Sequence, residues 1–177
     1  MTRRPLIATL LALTAILPMM ADAPRSSPEF VIKGAGGQTL LSQYKGKVVL
    51  LMFMFTTCPH CQQSTQMLNG IQKEYGPRGV QVLGVAFNEG APLLVAEFIR
   101  RFQPTFPVGS ATRDAVLDYL KHPPQNPFSV PMFIFIDKQG VIRAQHEGGA
   151  AFFAEQEKNT RAQLESLLGS PKKTARK

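Results

Sequence analysis

Apolar residues along the chain fall into two kinds of run, and each kind predicts a different element. Residues 48–55 are a continuous apolar stretch of eight. Its length and its Val and Phe content predict a strand buried on both faces. Residues 80–87 read as a second apolar strand and 132–136 as another buried strand. Elsewhere the apolar positions recur at helical spacing. Met67, Leu68, Ile71 and Tyr75 predict a helix over 62–75, which Gly76-Pro77 stops. Val95, Phe98, Ile99 and Phe102 predict a helix over 91–102, opened by the Asn88-Glu89-Gly90 turn.

Weaker signals fill the intervals. Residues 24–28 read as a linker and 29–33 as a first strand. Residues 34–37 read as a turn and 40–44 as a short helical turn. Residues 106–108 predict a short strand between prolines. Residues 112–121 predict a helix capped by Thr112 or Ser110. The Pro- and Asn-rich stretch 122–128 is a loop, and Asp137-Lys138-Gln139-Gly140 turns residues 132–136 into a hairpin with 141–146. Gly148-Gly149 separates that hairpin from a last helix over 151–168, and no internal repeat is present. Strands alternating with helices imply parallel pairing, and the late hairpin adds antiparallel strands. The fold class that follows is α/β, a mixed central β-sheet flanked by helices on both faces.

Composition and charge add two terminal segments. With 44% hydrophobic and 18% charged residues the chain is globular in character, and its 12 Phe supply aromatic core volume in the absence of Trp. Residues 1–23 carry Arg3 and Arg4, an uncharged apolar run over 6–20, and Ala21-Asp22-Ala23. That order is the order of a signal peptide, and the apolar run is short for a membrane span, which takes roughly 20 residues. Pro24 directly after the cleavage pattern hinders the cut, so the segment is either removed or kept as an anchor. Of the net charge of +8, residues 1–23 contribute +1 and the six residues after Pro171 contribute +4. Residues 171–177 therefore read as a basic disordered tail, and 24–170 as one domain. No arginine-rich helix or aromatic–basic stripe supports nucleic-acid binding.

There are only two cysteines, Cys58 and Cys61. A bridge across so short a loop constrains little unfolded-state entropy, so the pair points to reactivity rather than stability. Cys58 follows a buried strand and opens a helix, where unpaired backbone N–H groups and the helix dipole favour a thiolate. Pro59 suits the first helical turn. His60 brings a positive charge or a hydrogen bond near the sulfur. These roles make Cys58 the exposed attacking sulfur and Cys61 the buried resolving one. A zinc half-site would need two further ligands, and His60, His122 and His146 form no paired motif. Gln62 after the second cysteine excludes a c-type haem attachment. No metal or other cofactor is expected. Thr57 is available as a helix cap, His122 reads as solvated and His146 as structural.

From about residue 29 to residue 168 these residues resemble the thioredoxin superfamily. The apolar strand ending at Cys58-Pro59-His60-Cys61, and the Val130-Pro131 step before a buried strand, carry the resemblance. Residues 135–140, Phe-Ile-Asp-Lys-Gln-Gly, resemble the exported TlpA-like or redoxin branch, whereas Pro-His between the cysteines resembles the DsbA-type oxidases. The resemblance implies a thioredoxin-like fold, a cis Pro131 lying against the cysteine pair, and Val130 offering backbone groups to a bound substrate strand. It further implies protein thiols or disulfides as substrates and a redox partner protein, with membrane contact only through a retained N-terminal segment.

The sequence departs from the superfamily at three positions. Thr57 stands where Trp is frequent, Met52 where thioredoxins bury an acid, and Ser64 where the haem-maturation reductases place a Glu. The missing acids weaken the reading as a dedicated reductant and leave the direction of electron flow open. Two alternatives are poorer fits. A peroxiredoxin-like peroxidase needs Thr and Pro where this chain has Phe55 and Leu51, and a Sco-like copper module needs three residues between its cysteines.

Overall fold

The computed structural model describes residues 24–34 and 36–169. Residues 1–23, read above as a signal peptide, and residues 171–177, read as a basic tail, lie outside the described residues. Twelve regular elements follow in chain order: β1 (Arg25–Ser26), β2 (Val31–Gly34), β3 (Gly37–Leu40), β4 (Val48–Met54), α1 (Pro59–Tyr75), β5 (Val80–Ala86), α2 (Ala91–Phe102), β6 (Val108–Ser110), α3 (Arg113–Leu120), β7 (Met132–Ile136), β8 (Val141–His146) and α4 (Gln156–Leu168). The strands form one sheet in the order β1-β8-β7-β4-β5-β6-β2-β3. Pairs β4–β5 and β5–β6 are parallel and the others antiparallel, which gives the mixed sheet expected from the strand–helix alternation.

The central strand β4 is buried along its whole length. Alternate side chains point to opposite faces, so one apolar run feeds two cores. Val48, Leu50, Met52 and Met54 pack with Leu68 and Ile71 of α1, Val95 and Phe98 of α2, and Leu164 of α4. Val49, Leu51 and Phe53 pack on the other face with Val116 and Tyr119 of α3 and with Phe30 and Ile32. Phe53 meets Phe30, Phe87 and Tyr119 edge-on at centroid distances of 5.4, 6.4 and 5.6 Å.

Several expectations shift. The stretch 24–28 is more than a linker, because Arg25 and Ser26 pair with Ile142 and Val141 at the sheet edge. Strand β2 pairs antiparallel with a second strand, β3, that was not anticipated. The short strand expected at 106–108 forms at 108–110 instead. Pro107 has no N–H for the ladder, and Gly109 sits so close to β2 that a Cβ would lie 2.6 Å from the Lys33 carbonyl. Helix α3 is capped by Thr112, whose hydroxyl accepts from the Ala115 N–H at 3.3 Å, and not by Ser110, which belongs to β6. The last helix begins with a 3-10 turn over Ala151–Glu155 before α4. No helix among the described residues is long and apolar enough to cross a membrane.

Candidate redox site

Helix α1 begins three residues earlier than its apolar spacing suggests, because Cys58 itself is the N-cap. A cap residue keeps extended dihedrals and lends its side chain to an orphan N–H of the first turn. Here Cys58 has φ −79° and ψ 120°, and its Sγ accepts from the Cys61 N–H at 3.3 Å. Thr57, available for that role, is exposed and does not fill it. Pro59 occupies the first helical position, as its missing N–H allows.

The junction between β4 and α1 is pinned from the turn that follows β5. The Asn88 side-chain carbonyl accepts from both the Thr56 N–H (2.9 Å) and the Thr56 hydroxyl (3.2 Å). Gln62 Nε2 donates to the Thr56 carbonyl at 3.0 Å, and the Cys58 N–H donates to the Phe55 carbonyl at 3.2 Å. Thr56 is buried, so these contacts satisfy groups that water does not reach.

The two sulfurs occupy different surroundings. Cys58 is half-buried and Cys61 is fully buried, and both are free thiols. Burial, followed by the hydrogen bond with Cys58, pushes the Cys61 thiol far above the ordinary range. Behind it lie the fully buried Met52 and the buried Ser64, whose Oγ accepts from Gln156 Nε2 at 2.7 Å. The two positions where an acid would be informative are therefore occupied by a thioether and by a neutral hydroxyl–amide pair.

The opposite wall comes from residues more than seventy positions away. The Val130–Pro131 peptide bond is cis, as the resemblance implied, and the Val130 carbonyl lies 3.9 Å from Cys58 Sγ. Phe128 holds this segment against Phe55 and Phe87 at 6.1 and 5.7 Å, with the Arg113 guanidinium 4.6 Å from its ring centroid. A cavity of ≈ 480 Å³ opens between the walls, lined by His60, Gln63, Val130, Pro131, Phe153 and Gln156 among others. His60 is exposed in the first turn of α1, and no hydrogen bond joins it to Cys58.

The remaining histidines differ from expectation in one case. His122 is largely covered rather than solvated. It packs edge-on to Phe128 at 5.8 Å, and its Nε2 lies 4.0 Å from Glu147 Oε2. His146 stacks on Phe152 at 4.0 Å, and burial lowers its pKa. Among the described residues no three His, Cys, Asp or Glu side chains converge as metal ligands. Sequence reasoning did not find Asn88, Glu147 or Gln156, whose partners are distant in the chain.

Comparison with known proteins agrees with this geometry. The AhpC/TSA family model matches residues 23–145. A thiol-disulfide oxidoreductase, ResA, of Geobacillus kaustophilus is 34% identical over 120 residues, covering 67% of this chain and 65% of that protein. The thioredoxin-like protein YneN of Bacillus subtilis is 32% identical over 127 residues, covering 70% of this chain and 71% of its own. The match to the ResA relatives thus spans about 65% of their length. Among solved structures, a thiol:disulfide interchange protein of the thioredoxin family from Chlorobium tepidum superposes with a TM-score of 0.67. It is 24% identical, with 84% of this chain and 100% of that chain covered. The fold is thioredoxin-like.

Proposed function

We propose that this chain, which belongs to the AhpC/TSA family, is a thiol–disulfide oxidoreductase that exchanges disulfides with protein substrates through Cys58 and Cys61. The observation that carries the reading is the asymmetry of the pair. Cys58 Sγ is half-buried at a helix N-terminus and accepts the Cys61 N–H, while Cys61 is sealed behind it. A thiolate at Cys58 is thereby hydrogen-bonded and faces positive helix-end charge, and the thiolate is the attacking species.

In the reducing direction the Cys58 thiolate attacks one sulfur of a substrate disulfide. The substrate S–S bond breaks, and the departing sulfur leaves as a thiolate that takes up a proton. Cys61 then loses its proton and attacks Cys58 Sγ, which releases the second substrate thiol and leaves the protein with a Cys58–Cys61 disulfide. Two electrons have moved from the protein to the substrate. The reverse sequence oxidises a substrate dithiol. Contacts that stabilise the reduced pair make the disulfide form a stronger oxidant. The cap at Cys58 favours that side, whereas the likeness to the TlpA-like branch favours reduction. Equilibration with glutathione decides the direction: a potential near thioredoxin's roughly −270 mV marks a reductant, and one well above about −200 mV marks an oxidant.

Residues 1–23 support export, and substrates and redox partner are accordingly extracytoplasmic proteins in this reading. A fusion of residues 1–30 to a reporter active only outside the cytoplasm is expected to be active, and a silent, stably expressed fusion contradicts export. The peroxidase alternative lacks its residues: Leu51 is fully buried in β4, and Phe55 packs against Phe87. The copper alternative has the wrong cysteine spacing.

A further inference from the structure

The segment that faces Cys58 is held by a clasp formed at the end of β8. Ser129, the residue before Val130, has both backbone groups taken. Its N–H donates to the Glu147 carboxylate at 2.6 Å, and its carbonyl accepts from the Gly148 N–H at 3.1 Å. Among the described residues no hydrogen bond engages the Val130 N–H, and the Val130 carbonyl is met only by Cys58 Sγ. The clasp therefore consumes the polar groups of Ser129 and leaves those of Val130 open at the rim of the cavity. Gly148 permits the close approach, because a Cβ there would lie 2.9 Å from the Val130 oxygen and 3.0 Å from its carbonyl carbon. The second oxygen of the same carboxylate lies 4.0 Å from His122 Nε2, so the Pro-rich loop and the Val130 segment both approach this one side chain.

We propose that Glu147 is a positioning residue: its carboxylate fixes the Ser129–Val130 backbone at the height where a polypeptide strand can pair with Val130 while its sulfur meets Cys58. This rests on the redox reading above. A carboxylate that accepts a backbone N–H makes a charge-assisted bond, stronger than a neutral one. Without it the Ser129 N–H turns to water and the segment tilts. A substrate that docks as an extended strand then loses affinity, while a small disulfide that needs only the sulfur does not.

The test compares two substrates with the same leaving group. One is glutathione disulfide. The other is a short extended peptide whose single cysteine is a mixed disulfide with glutathione. The reduced full-length chain is compared with Glu147→Ala and Glu147→Gln, the latter keeping a side-chain carbonyl that can accept. For Glu147→Ala in single-turnover exchange we expect the half-saturating peptide concentration to rise about tenfold with the limiting rate little changed, the size of one lost hydrogen bond to a charged group. Glutathione disulfide exchange stays as in the wild type, and Glu147→Gln, which keeps the acceptor without the charge, restores most of the peptide affinity. An equal loss on both substrates, no loss on either, or a Glu147→Gln variant as impaired as Glu147→Ala overturns the positioning role. A wild-type chain that exchanges with neither substrate when reduced, nor with the corresponding thiols when oxidised, overturns the redox reading itself, which is a separate outcome.

Discussion

The two walls of the site are built in opposite ways. The cysteine wall is mainly local: within the residues from Phe55 to Gln62, Cys58 caps its own helix, its N–H donates back to Phe55, and the proline that starts α1 follows it, with Asn88 as a distant pin on Thr56. The proline wall is assembled from distant pieces. Ser129 is held by Glu147 and Gly148, Phe128 by Phe55 and Phe87, and the end of β8 by the stack of His146 on Phe152. The contrast separates reactivity, set over one helical turn, from recognition, set by the tertiary fold. Chemistry at the sulfur should then respond to changes in the first wall, and discrimination between substrates to changes in the second.

The largest effect that would break this division is at the cysteines. Cys58→Ser is expected to reduce exchange to background, since no other thiol is exposed. Cys61→Ser should still attack and then stall, accumulating a mixed disulfide at Cys58 that non-reducing mass spectrometry detects. A Cys58→Ser protein that forms the mixed disulfide through Cys61 would invert the roles.

Next is Gly148→Ala, the harshest change available on the proline wall. The added methyl collides with the Val130 carbonyl, and backbone displacement of this kind costs about 1–3 kcal/mol. Peptide exchange should fall by about tenfold, a loss of roughly 1.4 kcal/mol in transition-state stabilisation. The alkylation rate of Cys58 should be retained, because the cap on the other wall is untouched. On the cysteine wall, Asn88→Ala strands the buried Thr56 N–H and should lower stability by about 1–3 kcal/mol in denaturant unfolding. Here the effect should fall equally on all disulfide substrates.

The sequence made the first wall legible and the second hardly at all, for the same reason. Strand β4, helix α2 and the β7–β8 hairpin declare themselves through apolar periodicity and turn residues, which are local signals. The Cys58-Pro59-His60-Cys61 motif sits where a buried run meets a helix, so its geometry could be read from neighbours in the chain. Glu147 looks like any polar residue before a glycine pair, and Asn88 like a turn residue. Their partners, Ser129 and Thr56, lie eighteen and thirty-two positions away. The edge strands β1 and β3 escaped for a related reason: they are too short to show a period, and long-range pairing alone defines them. Pro131 was found only through resemblance, and Val130 with it.

Smaller effects sharpen the comparison. His146 is partly buried in the proline wall, and burial lowers its pKa. The unfolded chain takes up its proton first, near the ordinary value of about 6.5. Stability should therefore be fully present above that pH and decline as the pH falls toward the folded value. In His146→Phe, which keeps an aromatic stack, that part of the decline should disappear from thermal melts taken across the range. An unchanged pH slope would remove His146 from the account. The smallest effect expected is at His60. It is exposed and unbonded to the sulfur, so His60→Leu should lower the reduction potential by no more than about 30 mV, the equivalent of roughly 1.4 kcal/mol for a two-electron couple. A larger shift would mean that a side chain on the rim tunes the pair as strongly as the helix cap.

The asymmetry of the two sulfurs can be measured most directly by mapping alkylation of the fully reduced protein. Iodoacetamide is applied in limiting amount at about pH 6, where an ordinary thiol reacts slowly because its thiolate fraction is small. The adduct is then located by peptide mass spectrometry. Label is expected on Cys58 with Cys61 unmodified, because Cys61 is fully buried and that burial favours its protonated thiol. Label first or equally on Cys61 would contradict it.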